Sequence, residues 1–114
     1  MNKILRYISI SHRTATVTQR AVYHIADEGI SSILDIVSKK FKDISGIILL
    51  STCNRTEIYF ESVHTSATII RNFFIELQGA KNITVAKQFF RFSNTTEDTV
   101  KHLLIINVIM FVGT

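Results

Sequence analysis

The 114-residue chain is 46% hydrophobic and 19% charged, with a formal charge of +4, which excludes a disordered chain and leaves room for one core rather than two. A single cysteine, Cys53, excludes an internal disulfide and fits a reducing compartment. The start, Met1-Asn-Lys-Ile-Leu-Arg-Tyr, is too charged for a signal-peptide core, and the most apolar run, residues 103–112, is too short to span a bilayer, so a cytoplasmic protein without membrane attachment is expected.

Residues 3–11 alternate loosely and predict a first strand. Residues 17–41 place Ile30, Ile33, Leu34, Val37 and Phe41 at helical spacing, interrupted near Gly29, which predicts one kinked helix or two short ones. The run Ser45-Gly-Ile-Ile-Leu-Leu-Ser51 has the length and β-branched content of a buried second strand. After a polar turn, a third strand alternates, with Ile58 and Phe60 on one face and Glu57, Tyr59 and Glu61 on the other, the pattern of a half-buried strand. Residues 65–79 predict a helix with Ile69, Ile70, Phe73, Phe74 and Leu77 on one side and Gly79 as its terminator. Residues 87–93 predict a fourth strand. Thr95 or Thr96, followed by Glu97 and Asp98, then opens a last helix that carries His102.

This order predicts an α+β fold, the ferredoxin-like βαββαβ sandwich: a four-stranded antiparallel sheet with helices on one face plus a C-terminal helix. In that topology strands one and two run the same way. The segment after strand one, with His12 and Arg13, therefore meets the turn after strand two, with Cys53 and Arg55, at one sheet edge.

The most informative stretch is Leu50-Ser-Thr-Cys-Asn-Arg-Thr-Glu-Ile-Tyr59. It sets the only cysteine at a hairpin bend held by two strands, a good seat for a nucleophile. Arg55 is always charged, can fork onto a carboxylate, and supplies the positive field that favours a thiolate. Bland readings stand beside these. A lone cysteine is usually a small buried hydrophobe, but Thr, Asn and Arg are the wrong neighbours for a core. Asn54 can be a left-handed turn residue, Arg55 can pair with Glu57 or Glu61, and His12 can be a loop residue making one backbone hydrogen bond. His24 and His64 fit no motif and read as structural or solvent-facing.

The Ser-Thr-Cys-Asn-Arg-Thr-Glu segment closely resembles the signature of the glutamyl-tRNA reductase family. Ser11-His-Arg-Thr-Ala15 resembles that family's Asn-His-Lys-Thr-Ala-Pro segment, and Val100-Lys-His-Leu103 is similar to its histidine-bearing helix. The resemblance covers residues 3–104. It implies the same ferredoxin-like fold and an oxidoreductase of porphyrin (tetrapyrrole) biosynthesis. In such enzymes a cysteine attacks the ester of glutamyl-tRNA to give a thioester, which NADPH reduces to glutamate-1-semialdehyde. Carried over, Cys53 is the nucleophile, Thr52, Cys53, Asn54 and Arg55 bind the glutamyl group, and His102 is a catalytic histidine that assists the departing ribose oxygen. It further implies a full enzyme that is a homodimer and hands its product to an aminomutase.

The departures lie near the end. Where the family continues with an Arg-Val-Ala-Ser-Gly-Leu-Asp-Ser run, the chain reads Leu103-Leu-Ile-Ile-Asn-Val-Ile-Met-Phe-Val-Gly-Thr114, and Thr16 replaces the usual proline, a change expected to loosen the loop after His12. No Gly-x-Gly-x-x-Gly occurs, so no NADPH site is expected within these residues. The resulting organisation is a catalytic domain over residues 1–98 and, over residues 99–114, the start of a helix leading toward an NADPH-binding domain outside the chain. Formation of the thioester, without its reduction, is the activity expected of this portion. One alternative is a degenerate, inactive homologue. Another is a non-enzymatic RNA-binding module of the same strand order, with Phe89, Phe90 and Phe92 stacking bases.

Overall fold

A computed structural model describes the backbone of residues 2–113 and the side chains of residues 2–104. Four strands, β1 (Ile4–Ser11), β2 (Ile44–Ser51), β3 (Arg55–Ser62) and β4 (Arg91–Ser93), form one sheet in the order β2-β3-β1-β4. Every neighbouring pair is antiparallel, so β1 and β2 run the same way with β3 between them. Five helices accompany it: α1 (Val17–Ala21), α2 (Asp27–Lys40), α3 (Ala67–Leu77), α4 (Ile83–Ala86) and α5 (Thr96–Gly113). This is the expected ferredoxin-like sandwich. Among the described residues no helix is long and apolar enough to cross a membrane.

Strand parity explains the two layers. Ile8 and Ile10 of β1 and Ile58 and Phe60 of β3 point into the main core, where they meet Ile33 and Val37 of α2 and Ile70, Phe74 and Ile75 of α3. Tyr7 and Tyr59 point the other way and form a second, smaller cluster with Leu103 of α5. The half-buried reading of β3 is therefore corrected. Glu57 and Tyr59 are as buried as Ile58 and Phe60, because α5 lies over their face. That cover also occupies the central sheet face that an RNA-stacking platform would use.

Local chemistry places the boundaries. Residues 17–41 form two helices, and the break falls at 22–26 rather than at Gly29, which lies inside the first turn of α2. Tyr23 and Ile25 sink into the core within this break, and two core anchors two residues apart favour extended chain over helix. Thr16 does not loosen its loop. Its hydroxyl accepts from the Gln19 amide at 3.3 Å while the Gln19 side chain accepts from the Thr16 amide at 2.9 Å, a capping box that starts α1. Helix α3 ends as expected at Gly79, whose φ of +76° suits the left-handed position; the Ala80 amide donates to Ile75 and the Gly79 amide to Glu76.

The fourth strand is shorter than expected. Residues 83–89 are helical, α4 followed by a 3-10 turn at Lys87–Phe89, and only Arg91–Ser93 pair with β1. The Asn82 side chain caps α4 by accepting from the Val85 amide, so Phe89 and Phe90 reach the core from a helical turn instead of a strand. Helix α5 begins at Thr96, with the Thr95 hydroxyl accepting from the Asp98 amide at 3.2 Å. Of the apolar run 103–112, expected to form an exposed tail, Leu103 packs against Tyr7 and Tyr59 and Leu104 is exposed; the rest lies outside the described side chains.

Candidate active site

The turn Thr52-Cys53-Asn54 joins β2 to β3, closed by the Thr52 amide donating to the Arg55 carbonyl at 2.8 Å. The Asn54 amide donates to the Thr52 hydroxyl at 3.2 Å. Asn54 is not left-handed, since Gly79 is the only positive φ among the described residues. Ser11 pairs with Arg55 at the end of the β1–β3 ladder, and the His12 amide donates to the Asn54 carbonyl at 2.9 Å. The expected meeting of the two distant segments therefore occurs, through backbone. The turn is held from three sides.

Cys53 is exposed and opens onto a cavity of about 260 Å³. Thr52, Cys53, Arg55 and Thr56 line it from the hairpin, and Arg20 and His24 line it from the α1 side. Val17 and Ala21 give it an apolar wall. Arg20 ties the halves together, donating to the Ala15 carbonyl at 2.8 Å and to the Cys53 carbonyl at 3.4 Å. Among the described residues no acidic side chain lines the cavity, so the guanidinium groups of Arg20 and Arg55 set its sign. A positive cleft of this kind suits an anionic ligand.

Behind Arg55 sits a buried carboxylate. Glu57 is fully buried on the α5 face of β3, with Arg55 Nη1 3.9 Å from one oxygen and His102 Nε2 2.7 Å from the other. The Tyr59 hydroxyl donates to the first oxygen at 3.2 Å. Burial pushes the Glu57 carboxyl up, but hydrogen bonds from His102 and Ser9 and the charges of His102 and Arg55 outweigh it and hold the group below its ordinary value. An ionised carboxylate only accepts, so His102 Nε2 carries a proton toward it. Burial, with Glu57 beside it, keeps the Tyr59 phenol protonated well above its usual range. The His102 ring lies flat on Tyr7, with centroids 4.1 Å apart and planes 7° apart.

Of the residues singled out from sequence, Thr52, Cys53 and Arg55 come together in the cavity. Asn54 supports the turn without lining the cavity, and His12 contributes its backbone. His102 does not reach the cavity. It lies on the other side of Arg55 and communicates with the site through Glu57. The pairing of Arg55 with Glu57 offered from sequence occurs, at 3.9 Å, but as a buried contact rather than a surface one; sequence reasoning missed that burial and the places of Arg20 and His24. For Glu57 a signal existed, since a carboxylate inside an otherwise apolar strand is unusual if the face is covered, but the covering helix was not placed over it. Arg20 and His24 gave no signal, because their role depends on where the 22–26 break aims them.

For a dinucleotide cofactor the described residues offer no fit. All strand pairs are antiparallel, so no parallel strand, glycine turn and helix unit is present among them.

Comparison with known proteins gives a consistent result. A family model described as "Glutamyl-tRNAGlu reductase, N-terminal domain" matches residues 8–108. A glutamyl-tRNA reductase of Staphylococcus saprophyticus is 35% identical over 104 residues, covering 85% of this chain and 22% of that protein. One from Prochlorococcus marinus strain AS9601 is 34% identical over 99 residues, covering 85% and 22%. One from Cytophaga hutchinsonii is 34% identical over 105 residues, covering 89% and 24%. The chain thus spans under a quarter of the length of these curated relatives. With a hairpin cysteine in a positive cavity, the fold, and a family match over most of its length, the chain belongs to the glutamyl-tRNA reductase N-terminal domain family.

Proposed function

We propose that this domain carries the acyl-transfer step of a glutamyl-tRNA reductase, with Cys53 as nucleophile. The observation that carries the reading is the exposed Cys53 thiol on a rigid turn, inside a cavity whose charged walls are Arg20 and Arg55. The sulfur attacks the ester carbonyl of glutamyl-tRNA, an S–C bond forms, the C–O bond to the ribose breaks, and the tRNA leaves with a proton on its freed hydroxyl. What remains is a glutamyl thioester on Cys53, an acyl group activated for reduction. Arg55 offers a guanidinium to a glutamyl carboxylate, and Thr52 offers a hydroxyl at the cavity wall. Asn54 keeps the turn in shape. The derived steps end at the thioester, and the wider assignment to tetrapyrrole synthesis rests on the family alone.

In this reading His102 is a positioning residue. It fixes Glu57, and Glu57 fixes Arg55, so the histidine acts on substrate orientation without touching the reacting atoms. The test is incubation with glutamyl-tRNA followed by intact-mass measurement. Wild-type protein releases the tRNA and gains one glutamyl mass on Cys53, while Cys53→Ser does neither. Equal deacylation by the two proteins would exclude Cys53 as nucleophile.

A further inference from the structure

We infer that His24 is the general base that activates Cys53, and that the imidazolium formed returns the proton to the departing ribose oxygen. The inference rests on the acyl-transfer reading for its substrate, but the thiol–imidazole pair itself can be tested without one.

His24 is held in place, although it lies on the surface. Its neighbours Tyr23 and Ile25 are both core side chains, Tyr23 packing against Phe74 and Phe90. With both neighbours facing inward, His24 is left on the outer side, here at the cavity that Cys53 also lines. The Ile25 amide donates to the Ser51 hydroxyl oxygen at 2.9 Å, pinning the backbone next to the imidazole. The ring itself is oriented by the strand that precedes Cys53. His24 Nδ1 lies 3.3 Å from the Thr52 carbonyl oxygen and 3.2 Å from the Ser51 hydroxyl.

These contacts choose the tautomer. A carbonyl oxygen can only accept, so the Thr52 contact is a hydrogen bond only when Nδ1 carries the proton. The Ser51 oxygen serves as the second acceptor of the same N–H, with its own hydroxyl proton free to meet Thr56 Oγ1 at 2.9 Å. Nε2 is then the unprotonated, basic nitrogen. His24 and Cys53 line one cavity and the imidazole is oriented by a third group; the hydrogen bond from thiol to base that nucleophilic catalysis needs is assigned to the substrate complex. The charged groups facing His24 are Arg20 from α1 and Arg55 from β3, with Cys53 as the other titratable group; none of the lining side chains is acidic.

Proton and bond bookkeeping close without a co-reactant. Nε2 takes the proton from Sγ–H as the S–C bond forms, and gives it to the ribose oxygen as the ester C–O bond breaks. His24 ends neutral, Cys53 ends acylated, and nothing is oxidised or reduced.

The experiment is the pH profile of Cys53 alkylation by iodoacetamide, measured on wild type, His24→Ala and His24→Asn. Asparagine can still donate to the Thr52 carbonyl but has no second ring nitrogen. If His24 is the base, both variants fall to the reactivity of an unassisted cysteine, a loss of about tenfold or more in alkylation rate near pH 7, and their profiles differ in shape from wild type, while far-ultraviolet circular dichroism stays unchanged. If His24 is only a tie between the 22–26 segment and β2, His24→Asn matches wild type, and the inference is overturned. Profiles that coincide for all three proteins overturn it as well. A His24-dependent profile in a protein that fails to deacylate glutamyl-tRNA upholds the pair and rejects only the substrate.

Discussion

His102 Nε2 and Glu57 Oε2 stand 2.7 Å apart, joining α5 to a strand at the middle of the sheet. The opposite oxygen of Glu57 faces Arg55, so the cavity and the helix share one buried carboxylate. His102→Ala leaves that carboxylate short of its strongest partner, and a stability loss of about 1–3 kcal/mol is expected in urea unfolding. If the acyl-transfer reading holds, single-turnover deacylation by the same variant is expected to need more glutamyl-tRNA for half-saturation while its limiting rate changes less, because the change loosens Arg55 and leaves Cys53 alone. A large fall in the limiting single-turnover rate at unchanged half-saturation would instead place the histidine at the reacting atoms.

Asp43, alongside buried Glu57, contributes to the acid limb of stability. The side-chain and backbone hydrogen bonds of Thr65, opposed by slight burial and reinforced by the His64 amide, bring its carboxyl from 3.8 to about 2. A depressed carboxyl stabilises the fold above its unfolded pKa, and that contribution is lost as pH falls through the folded value. Urea midpoints of wild type are therefore expected to drop between about pH 4 and pH 2. Asp43→Asn is less stable at pH 7 and shows a flatter drop. Parallel curves for the two proteins would remove Asp43 from the account.

Arg20 uses a planar fork to reach two carbonyls, on Ala15 and on Cys53. Lysine has no such fork. Arg20→Lys is expected to lose about 1 kcal/mol of stability, and to expose the Cys53 turn to faster amide hydrogen exchange. Unchanged exchange at residues 52–54 would show that the turn is rigid without α1.

Phe90 and Phe92 separate core from surface. Phe90 is buried against Tyr23 and Phe74, whereas Phe92 is 43% exposed with the Arg71 guanidinium 5.3 Å from its ring. Phe90→Ala is expected to cost about 3–5 kcal/mol. Phe92→Ala costs no more than about 1 kcal/mol, the scale of one exposed cation–π contact. Selective loss of RNA binding in the Phe92 variant, with folding intact, would revive a stacking role for this edge.

Much of the fold was legible because its elements are written in local periodicity. Alternation in β1 and β3, helical spacing in α2 and α3, and Gly79 at a helix end each follow from the sequence within a few residues. What was illegible depended on contacts between distant elements. Residues 87–93 look like a strand because Phe89, Phe90 and Phe92 are β-formers, yet Asn82 starts a helix upstream and the sheet pairs only three residues of that run. Glu57 looks solvent-facing until α5 is laid over β3. In the candidate site, the motif marked Thr52, Cys53 and Arg55, while His24 entered through the aim of Tyr23 and Ile25.

The central place of β1 also bears on synthesis. It is translated first, yet its ladder to β3 runs from Ile4↔Ser62 to Ser11↔Arg55, and its other neighbour, β4, comes later still. An emerging chain must therefore carry Ile8 and Ile10 without sheet partners until β3 has left the ribosome. Cys53 precedes β3, so its thiol is made before the pairing that holds its turn in place. Such a nascent chain is open to aggregation and to thiol oxidation during that interval. A chaperone that shields the first strand, and a reducing environment at the ribosome, would matter most for yield in this window.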